Sequence, residues 1–327
     1  MLGAGGWGTA LAIHLARAGH DVLLWARDAA FAAEMQRERL NRVYLRDVRF
    51  PDRLTVTGDL TGALRDTALI VWAVPSHGTR GIVRIASSGI APGAIVVSAT
   101  KGLEQDSLLR MSEVLTQELR PGVHVAVLSG PSFALELARQ LPTAVSVAAD
   151  DASVVARVQE EFRAPYFRLY GTADVVGVEI GGALKNVIAI AAGVAEGLGL
   201  GHNAQAGLIT RGLAEMSRLA CAAGARPETL AGLTGLGDLV LTCTGALSRN
   251  RQVGLELAKG RTLGEVLGGM KMVAEGVRTT EAALALAARH GVELPIAAQV
   301  AELLAGRKDA RTALGELMLR PQRAEVG

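Results

Sequence analysis

Two lysines stand where an amine could exchange a proton with a bound molecule. Lys101 follows the apolar run Ala94–Ser98, and Lys185 lies inside Gly181–Ile190, a stretch with no other charge. Burial lowers the pKa of an ammonium group, which brings its proton exchange closer to neutral pH. Taken singly, Lys101 could be a surface charge of a loop, and Lys185 could extend its ammonium group from an apolar helix to solvent.

A second group of polar residues could hold an anionic substrate. Arg249, between Ser248 and Asn250, offers a guanidinium group that can grip phosphate oxygens through two hydrogen bonds. Asp238 ends the segment Gly235–Asp238 and could orient an ammonium group or a substrate hydroxyl. Asp238 and Ser248 could equally be helix caps, because Asp and Ser are favoured at that position.

The glycines near the N-terminus match a phosphate-binding turn. Gly3, Gly5 and Gly8 fit G-x-G-x-x-G, and an apolar helical run starts at Ala10. In this motif the first glycine permits the turn, the second lets backbone approach a pyrophosphate, and the third allows close packing of helix on sheet. Free N–H groups at the helix start then face the phosphates. Because the turn opens a β-α-β unit, we expect a dinucleotide site.

The end of the second strand indicates which dinucleotide is bound. An acidic residue about 20 positions past the glycines would bind a ribose 2′-hydroxyl and favour NAD. Arg27 stands close to that distance from Gly8, and its guanidinium suits a 2′-phosphate. We therefore predict a preference for NADPH, with NADH possible. The neighbouring Asp28 argues against this preference, and Arg27 could also be a solvated surface charge.

The order of apolar segments predicts the fold. Short β-branched runs alternate with helical stretches in the first half, which is typical of a parallel sheet covered by helices. The predicted strands are Val22–Trp25, Leu69–Val74, Ala94–Ser98, Val123–Leu128, Ala144–Ala148 and Phe167–Tyr170. After about Val178 the spacing is helical throughout. We predict a doubly wound α/β domain over residues 1–177 and an all-α domain over residues 178–327.

The start of the chain is unusual for this motif. Only Met1 and Leu2 precede Gly3, whereas the turn should follow a strand of about five residues. That strand lies centrally in a doubly wound sheet, so its loss would leave neighbouring backbone groups unpaired. We therefore expect the natural chain to begin several residues upstream of Met1, which an intact mass would test.

Composition excludes several classes of function. The 327 residues carry a net charge of +2 and only 3% aromatic side chains, which argues against binding nucleic acid. Two cysteines are too few for a disulfide framework or a zinc site, and no metal site is predicted. No apolar run reaches the roughly 18 residues of a membrane span, and no signal peptide is visible. We expect a soluble, cytoplasmic protein.

Taken together, the motifs resemble one enzyme family. In chain order they are Gly3–Gly8, Thr100–Glu104, Ser129–Ala134, Gly182–Val187, Gly235–Thr244 and Ser248–Asn250. This set is similar to that of bacterial-type NAD(P)-dependent sn-glycerol-3-phosphate dehydrogenases. The resemblance implies reversible reduction of dihydroxyacetone phosphate to sn-glycerol 3-phosphate, a precursor of phospholipids. It also implies a Rossmann domain, a helical domain like the C-terminal one of 6-phosphogluconate dehydrogenase, and usually a homodimer.

The resemblance also implies roles for individual residues. Lys185 matches the family's proton acceptor, and Lys101 matches a lysine that touches both cofactor and substrate. The positions that match substrate contacts are Gly130, Ser132, Asn186, Asp238, Thr242, Ser248, Arg249 and Asn250. Those that match cofactor contacts are Gly6, Trp7, Arg27, Ala134, Arg249, Val273 and Glu275. Gly6 departs from the pattern, because this position is commonly Ser.

The sequence leaves open the pKa of Lys185 and two alternative functions. Lys101 would lower the pKa of Lys185 and Asp238 would raise it, so the net shift is undecided. A dehydrogenase of the same plan could act on a hydroxy acid or a sugar acid, if a cationic carboxylate clamp stood in place of Ser248–Asn250. A dinucleotide-sensing module without catalysis is the third possibility, and it would have no need of the two lysines and Asp238.

Overall fold

The computed structural model describes residues 1–270 and 274–322, and it confirms the predicted fold class. An N-terminal α/β lobe precedes a helical lobe. The strands of the first lobe are β1 (Val22–Trp25), β2 (Leu40–Asn41), β3 (Leu45–Arg49), β4 (Leu54–Thr57), β5 (Leu69–Trp72), β6 (Ile95–Ser98), β7 (His124–Ser129), β8 (Thr143–Ala148) and β9 (Phe167–Thr172). Its helices are α1 (Gly6–Arg17), α2 (Ala29–Glu38), α3 (Leu60–Leu64), α4 (Ser76–Ala86), α5 (Met111–Glu118), α6 (Ala134–Ala138) and α7 (Ala152–Glu161).

Leu2 lies at the centre of the main sheet. It forms parallel bridges to Trp25 of β1 and to Trp72 of β5, so the pair β4–β1 continues into the five strands β5 to β9. Strands β1 and β4 are parallel to each other, as are β5, β6 and β7. Their carboxyl ends therefore meet at one edge, where ligands of open α/β sheets bind.

The last two strands of the sheet reverse direction. Strand β8 runs antiparallel to β7, and β9 runs parallel to β8. A parallel pair needs a crossover of a dozen or more residues that spans the sheet, usually through a helix. The connection from β7 to β8 carries only the five-residue helix α6, which packs on α1. The chain returns beside β7 in the opposite direction.

Two elements of this lobe have weak signals in the sequence. Strand β4 has only four residues, with Leu54 and Val56 buried and Thr55 exposed. Helix α4 contains two glycines and several β-branched residues, all of low helix propensity. Its buried face, which includes Val83 and Ala86, stabilises it through tertiary packing rather than local preference.

The second lobe is helical throughout its described part. Its helices are α8 (Val175–Gly197), α9 (Gly201–Ala222), α10 (Pro227–Ala231), a π-helical turn (Leu233–Gly237), α11 (Asp238–Thr244), α12 (Arg249–Ala258), α13 (Leu263–Gly268), α14 (Glu275–Arg289), α15 (Pro295–Leu304) and α16 (Ala310–Met318). Helix α8 is long and apolar enough to cross a bilayer. However, 83% of its most apolar window is buried inside the protein, so it is the core helix of this lobe.

Glycines bring α8 and α12 into backbone contact. A Cβ atom on Gly254 of α12 would lie 1.9 Å from the carbonyl oxygen of Ile190 in α8. A Cβ atom on Gly193 of α8 would lie equally close, at 1.9 Å, to the carbonyl oxygen of Arg251. No other residue type fits at either position, because real Cβ contacts never become so short. The close approach brings the middle of α12 against the C-terminal half of α8.

A buried carboxylate fastens α8 to the first lobe. Glu179 accepts hydrogen bonds from the Ser112 backbone N–H (2.8 Å), the Ser112 hydroxyl (2.5 Å) and the Arg110 guanidinium (2.9 Å). Burial raises the pKa of Glu179, and Arg110 and Ser112 oppose that rise. Because Lys185 follows on the same helix, this joint sets where the lysine lies relative to the sheet edge.

Candidate active site

Both predicted lysines converge on one buried carboxylate. Lys185 Nζ donates to Asp238 Oδ1 at 2.7 Å, and Lys101 Nζ donates to Asp238 Oδ2 at 2.5 Å. Lys185 also donates to Thr242 Oγ1 at 2.7 Å, and Lys101 to the Gly130 carbonyl at 3.3 Å. Asp238 and Lys185 are buried, whereas Lys101 is half-buried at the sheet edge. The carboxylate therefore links an amine of each lobe.

The net electrostatic effect on Lys185 is a lowered pKa. Burial, the largest cause, and the positive charge of Lys101 both lower it, while Asp238 raises it; the resulting pKa is about 8. Since the usual value is 10.5, the ammonium and amine forms are both accessible near neutral pH. Such a group can act as a proton donor in one direction of a reaction and as an acceptor in the other.

Asp238 and Ser248 were both possible helix caps, and in the structure only Ser248 is one. Asp238 begins α11, but its side chain makes no capping hydrogen bond and instead meets the two lysines. Ser248 is the N-cap of α12, and its hydroxyl oxygen accepts from the Arg251 backbone N–H at 3.2 Å. The Ser248 hydroxyl hydrogen is still able to donate to another group.

The start of α12 holds a cation beside a pair of amides. Arg249 is accessible in the cleft, yet the surrounding protein desolvates its guanidinium and lowers its pKa, with Glu275 opposing the shift. Asn250 Nδ2 donates to Asn186 Oδ1 at 2.9 Å, and Asn250 Oδ1 accepts from the Gly276 backbone N–H at 3.0 Å. These bonds use the Asn250 oxygen and one amide hydrogen, which leaves one hydrogen for a ligand.

The turn after β7 supports Lys101. Gly130 has a φ of +142°, and a Cβ atom there would lie 2.9 Å from the Cα atom of Val145. Only glycine fits that conformation and that space. Its carbonyl accepts from Lys101 and also from the Ser132 hydroxyl at 2.9 Å. The turn therefore joins the predicted contacts Gly130 and Ser132 to Lys101, and Ala134 follows as the first residue of α6.

The glycine turn has the shape of a pyrophosphate cradle. Gly3 has a φ of +107°, and a Cβ atom on Gly8 would lie 1.9 Å from the Gly3 carbonyl oxygen. A Cβ atom on Gly5 would meet nothing within 4 Å, so open space lies in front of this residue. Helix α1 starts at Gly6 without a side-chain cap, which leaves its first N–H groups for an anion. The Trp7 indole N–H is buried without a partner among the described residues. The turn therefore fits a dinucleotide.

The structure describes the other predicted cofactor contacts Arg27 and Glu275, but not Val273. Arg27 is exposed at the end of β1, whereas Asp28 Oδ1 accepts from the Phe31 backbone N–H at 2.9 Å and caps α2. Because Asp28 caps this helix, its carboxylate is less available to bind a ribose hydroxyl. Glu275 begins α14 and accepts a hydrogen bond from Ser76. Val273 lies outside the described residues.

Ser76 is a cleft residue that the motifs do not single out. Its hydroxyl donates to Glu275 Oε2 at 2.8 Å, and this bond joins the first lobe to the second. Its position just after the carboxyl end of β5 is the signal that could have identified it, because ligands of such sheets bind there.

Comparison with known proteins identifies the family. The family models for the N-terminus and C-terminus of NAD-dependent glycerol-3-phosphate dehydrogenase match residues 1–155 and 174–315. The chain is 52% identical to glycerol-3-phosphate dehydrogenase [NAD(P)+] of Citrifermentans bemidjiense over 99% of this chain and 98% of that protein. The relative of the same name from Myxococcus xanthus is 49% identical, covering 100% of this chain and 98% of that protein.

A solved structure extends the likeness to three dimensions. The crystal structure of glycerol-3-phosphate dehydrogenase from Coxiella burnetii matches with a TM-score of 0.94 at 42% identity, covering 98% of each chain. The lysine pair and the glycine cradle thus lie in a fold that this enzyme shares. The chain belongs to the family of NAD-dependent glycerol-3-phosphate dehydrogenases.

Proposed function

We propose that this chain catalyses the reversible reduction of dihydroxyacetone phosphate to sn-glycerol 3-phosphate, which supplies glycerophospholipid synthesis. The observation that supports it best is the hydrogen bond between Asn186 and Asn250, at 2.9 Å. These residues are the chain neighbours of Lys185 and Arg249, so an amine and a guanidinium lie at one junction of two helices. A three-carbon phosphate ester offers a carbonyl for the first and a phosphate for the second.

The chain's own residues supply the proton and the orientation. A bound nicotinamide provides the hydride that adds to the carbonyl carbon. Lys185 as an ammonium donates its proton to the carbonyl oxygen and is left as a neutral amine, which its lowered pKa favours. Asp238 holds that ammonium in place, and Lys101 adds positive charge beside the developing oxyanion. In the oxidative direction the neutral amine accepts the proton.

The proposed binding roles follow from position in the cleft. Arg249 grips the phosphate, with donors from Ser248 and the remaining amide hydrogen of Asn250. The other proposed substrate contacts are Lys101, Gly130, Ser132, Asn186, Asp238 and Thr242. The proposed cofactor contacts are the cradle residues Gly3, Gly5, Gly6, Trp7 and Gly8, together with Arg27, Lys101, Ala134, Arg249 and Glu275.

A preference for NADPH over NADH is part of the proposal. Arg27 is exposed at the end of β1, and it forms no ion pair with residues in the described ranges 1–270 and 274–322. Its guanidinium is therefore able to bind a 2′-phosphate, while Asp28 is engaged as a helix cap. Gly6 lacks the hydroxyl that is common at its position, so we expect modestly weaker binding of the pyrophosphate.

The organisation of the protein completes the proposal. Residues 1–177 form the dinucleotide-binding domain and residues 178–327 form the helical substrate-binding and catalytic domain, and each domain contributes contacts to both ligands. We further propose a homodimer located in the cytoplasm, which rests on the family resemblance. Sedimentation of the purified protein tests the assembly, and a mass equal to one chain would contradict it.

The decisive experiment compares Lys185→Ala with Lys259→Ala, a matched change at an exposed lysine. Loss of absorbance of the reduced nicotinamide is followed with dihydroxyacetone phosphate, and in parallel with hydroxy acids and sugar acids. We expect Lys185→Ala to lower turnover by about 10²–10⁴-fold while NADPH still binds, because a positioned proton donor contributes that much. Retention of more than about a tenth of the rate would contradict the role of Lys185, because a positioned donor contributes more than that. Faster turnover of an acid would favour the rival dehydrogenase.

A further inference from the structure

The hydrogen bond between Ser76 and Glu275 lies where the two lobes meet. Ser76 is the first residue of α4 and Glu275 is the first residue of α14, and Ser76 Oγ donates to Glu275 Oε2 at 2.8 Å. Ser76 is buried and Glu275 is half-buried. The bond therefore fixes one carboxylate oxygen of the helical lobe to a hydroxyl of the other lobe.

The serine side chain lies beside Gly102, which has no side chain of its own. Its Cβ and Oγ atoms both lie 3.1 Å from the point where a Cβ atom on Gly102 would stand. Thr279 Oγ1, one helical turn beyond Glu275, lies 3.5 Å from the same point. Gly102 has a φ of +137° and bears no side chain, which lets α4 and α14 meet there. A side chain at position 102 would therefore crowd Ser76, and glycine leaves the Ser76 hydroxyl room to reach Glu275.

The carboxylate of Glu275 acts on the guanidinium of Arg249. The Gly276 backbone N–H donates to Asn250 Oδ1 at 3.0 Å, so the helices that begin at Glu275 and Arg249 meet at their first turns. The negative charge of Glu275 also raises the pKa of Arg249, against the larger effect of burial. Nevertheless, Arg249 forms no ion pair with a residue in the part of the chain that the structure describes. A guanidinium can form a two-bonded pair with a neighbouring carboxylate. The hydrogen bond from Ser76 instead engages one oxygen of the Glu275 carboxylate.

We propose that Ser76 is a positioning residue that keeps Glu275 from pairing with Arg249, so that the guanidinium stays available to the substrate phosphate. The proposal rests on the proposed role of Arg249. A carboxylate released from Ser76 competes with phosphate for the same N–H groups. A carboxylate held by Ser76 instead contributes only its long-range field, which favours the charged form of Arg249.

The test uses Ser76→Ala, Glu275→Gln and the double variant Ser76→Ala/Glu275→Gln. We expect Ser76→Ala to raise the KM for dihydroxyacetone phosphate about tenfold at saturating NADPH, with kcat changed less than about twofold, because hydrogen bonds to charged groups are worth that order of affinity. The double variant should match Glu275→Gln, since a neutral amide does not compete for the guanidinium. Ser88→Ala, an exposed serine beyond the same helix, should behave as the unchanged protein.

A second readout does not depend on the cofactor. Binding of inorganic phosphate to the cofactor-free protein is measured by calorimetry, and Ser76→Ala should weaken it by a similar factor. If Ser76→Ala leaves both constants unchanged, or if the double variant keeps the full increase over Glu275→Gln, the proposal is wrong and the bond only joins the lobes. If Arg249→Ala also leaves phosphate binding unchanged, the proposed phosphate grip fails as well.

Discussion

Replacing Asp238 by Asn should move the pH range in which this protein reduces its substrate. The carboxylate accepts from Lys185 at 2.7 Å in a buried setting, so solvent screens this charge very little. A hydrogen bond to a charged group is worth about 1.5–3 kcal/mol, which corresponds to about one to two pH units. The same change removes the partner of Lys101, whose charge then lowers the pKa of Lys185 further.

The direction of the change follows from the protonation state that each reaction needs. Reduction requires the ammonium form of Lys185, which is present below its pKa of about 8 and is lost as the pH rises through that value. In Asp238→Asn we expect the alkaline limb of reduction to move down to about pH 6–7. At pH 7 this lowers the rate by roughly twofold to tenfold, and the rate recovers toward lower pH. Oxidation needs the neutral amine, so the rise of its rate with pH should also shift to lower pH in this variant.

The assay is the pH dependence of kcat/KM in both directions, from about pH 5 to about pH 10. Asp151→Asn serves as the matched control, because this aspartate caps α7 on the surface and lies outside the site. Thr242→Val removes a neutral acceptor from Lys185 and should produce a shift in the same direction of less than about one unit. If the alkaline limb of reduction in Asp238→Asn stays at the pH of the unchanged protein, Asp238 does not control the pKa of Lys185.

Three further predictions concern binding and stability. Arg27→Gln should raise the KM for NADPH about tenfold or more and leave that for NADH unchanged, since only NADPH carries the 2′-phosphate; equal changes for both would contradict the assignment. Gly254→Ala should destabilise the protein by about 3 kcal/mol or more, because its Cβ would lie 1.9 Å from the Ile190 carbonyl oxygen; an unchanged Tm would count against this packing. Glu179→Ala should cost about 2 kcal/mol of unfolding free energy, because the buried Ser112 N–H loses its acceptor, and chemical denaturation measures it.

Much of the first lobe could be predicted from local patterns. The strands β1, β5, β6, β7, β8 and β9 occur where β-branched runs predict them, because buried strands of such sheets are apolar on both faces. Strand β4 and helix α4 could not be found in this way. Strand β4 has only four residues and helix α4 has low helix propensity, so neighbours that are distant in the chain stabilise both.

The candidate site could likewise be predicted only in part from the sequence. The residue types of Lys101, Lys185 and Asp238 indicate proton exchange and its orientation, and family resemblance groups them. The alternatives of surface lysine and helix-capping aspartate could be decided only by geometry, since each is locally reasonable. The ammonium groups of Lys101 and Lys185 lie 2.5 and 2.7 Å from the oxygens of the Asp238 carboxylate, and these hydrogen bonds exclude both alternatives.

By itself, the sequence determined the class of fold, the glycine turn and the chemical types of the site residues, because these depend on periodicity and on side-chain identity. Only the tertiary structure decided the sign of the Lys185 pKa shift and the link between Ser76 and Glu275. Both depend on distances between residues far apart in the chain and on how much water the folded lobes exclude, and a pattern of residues along the chain specifies neither quantity.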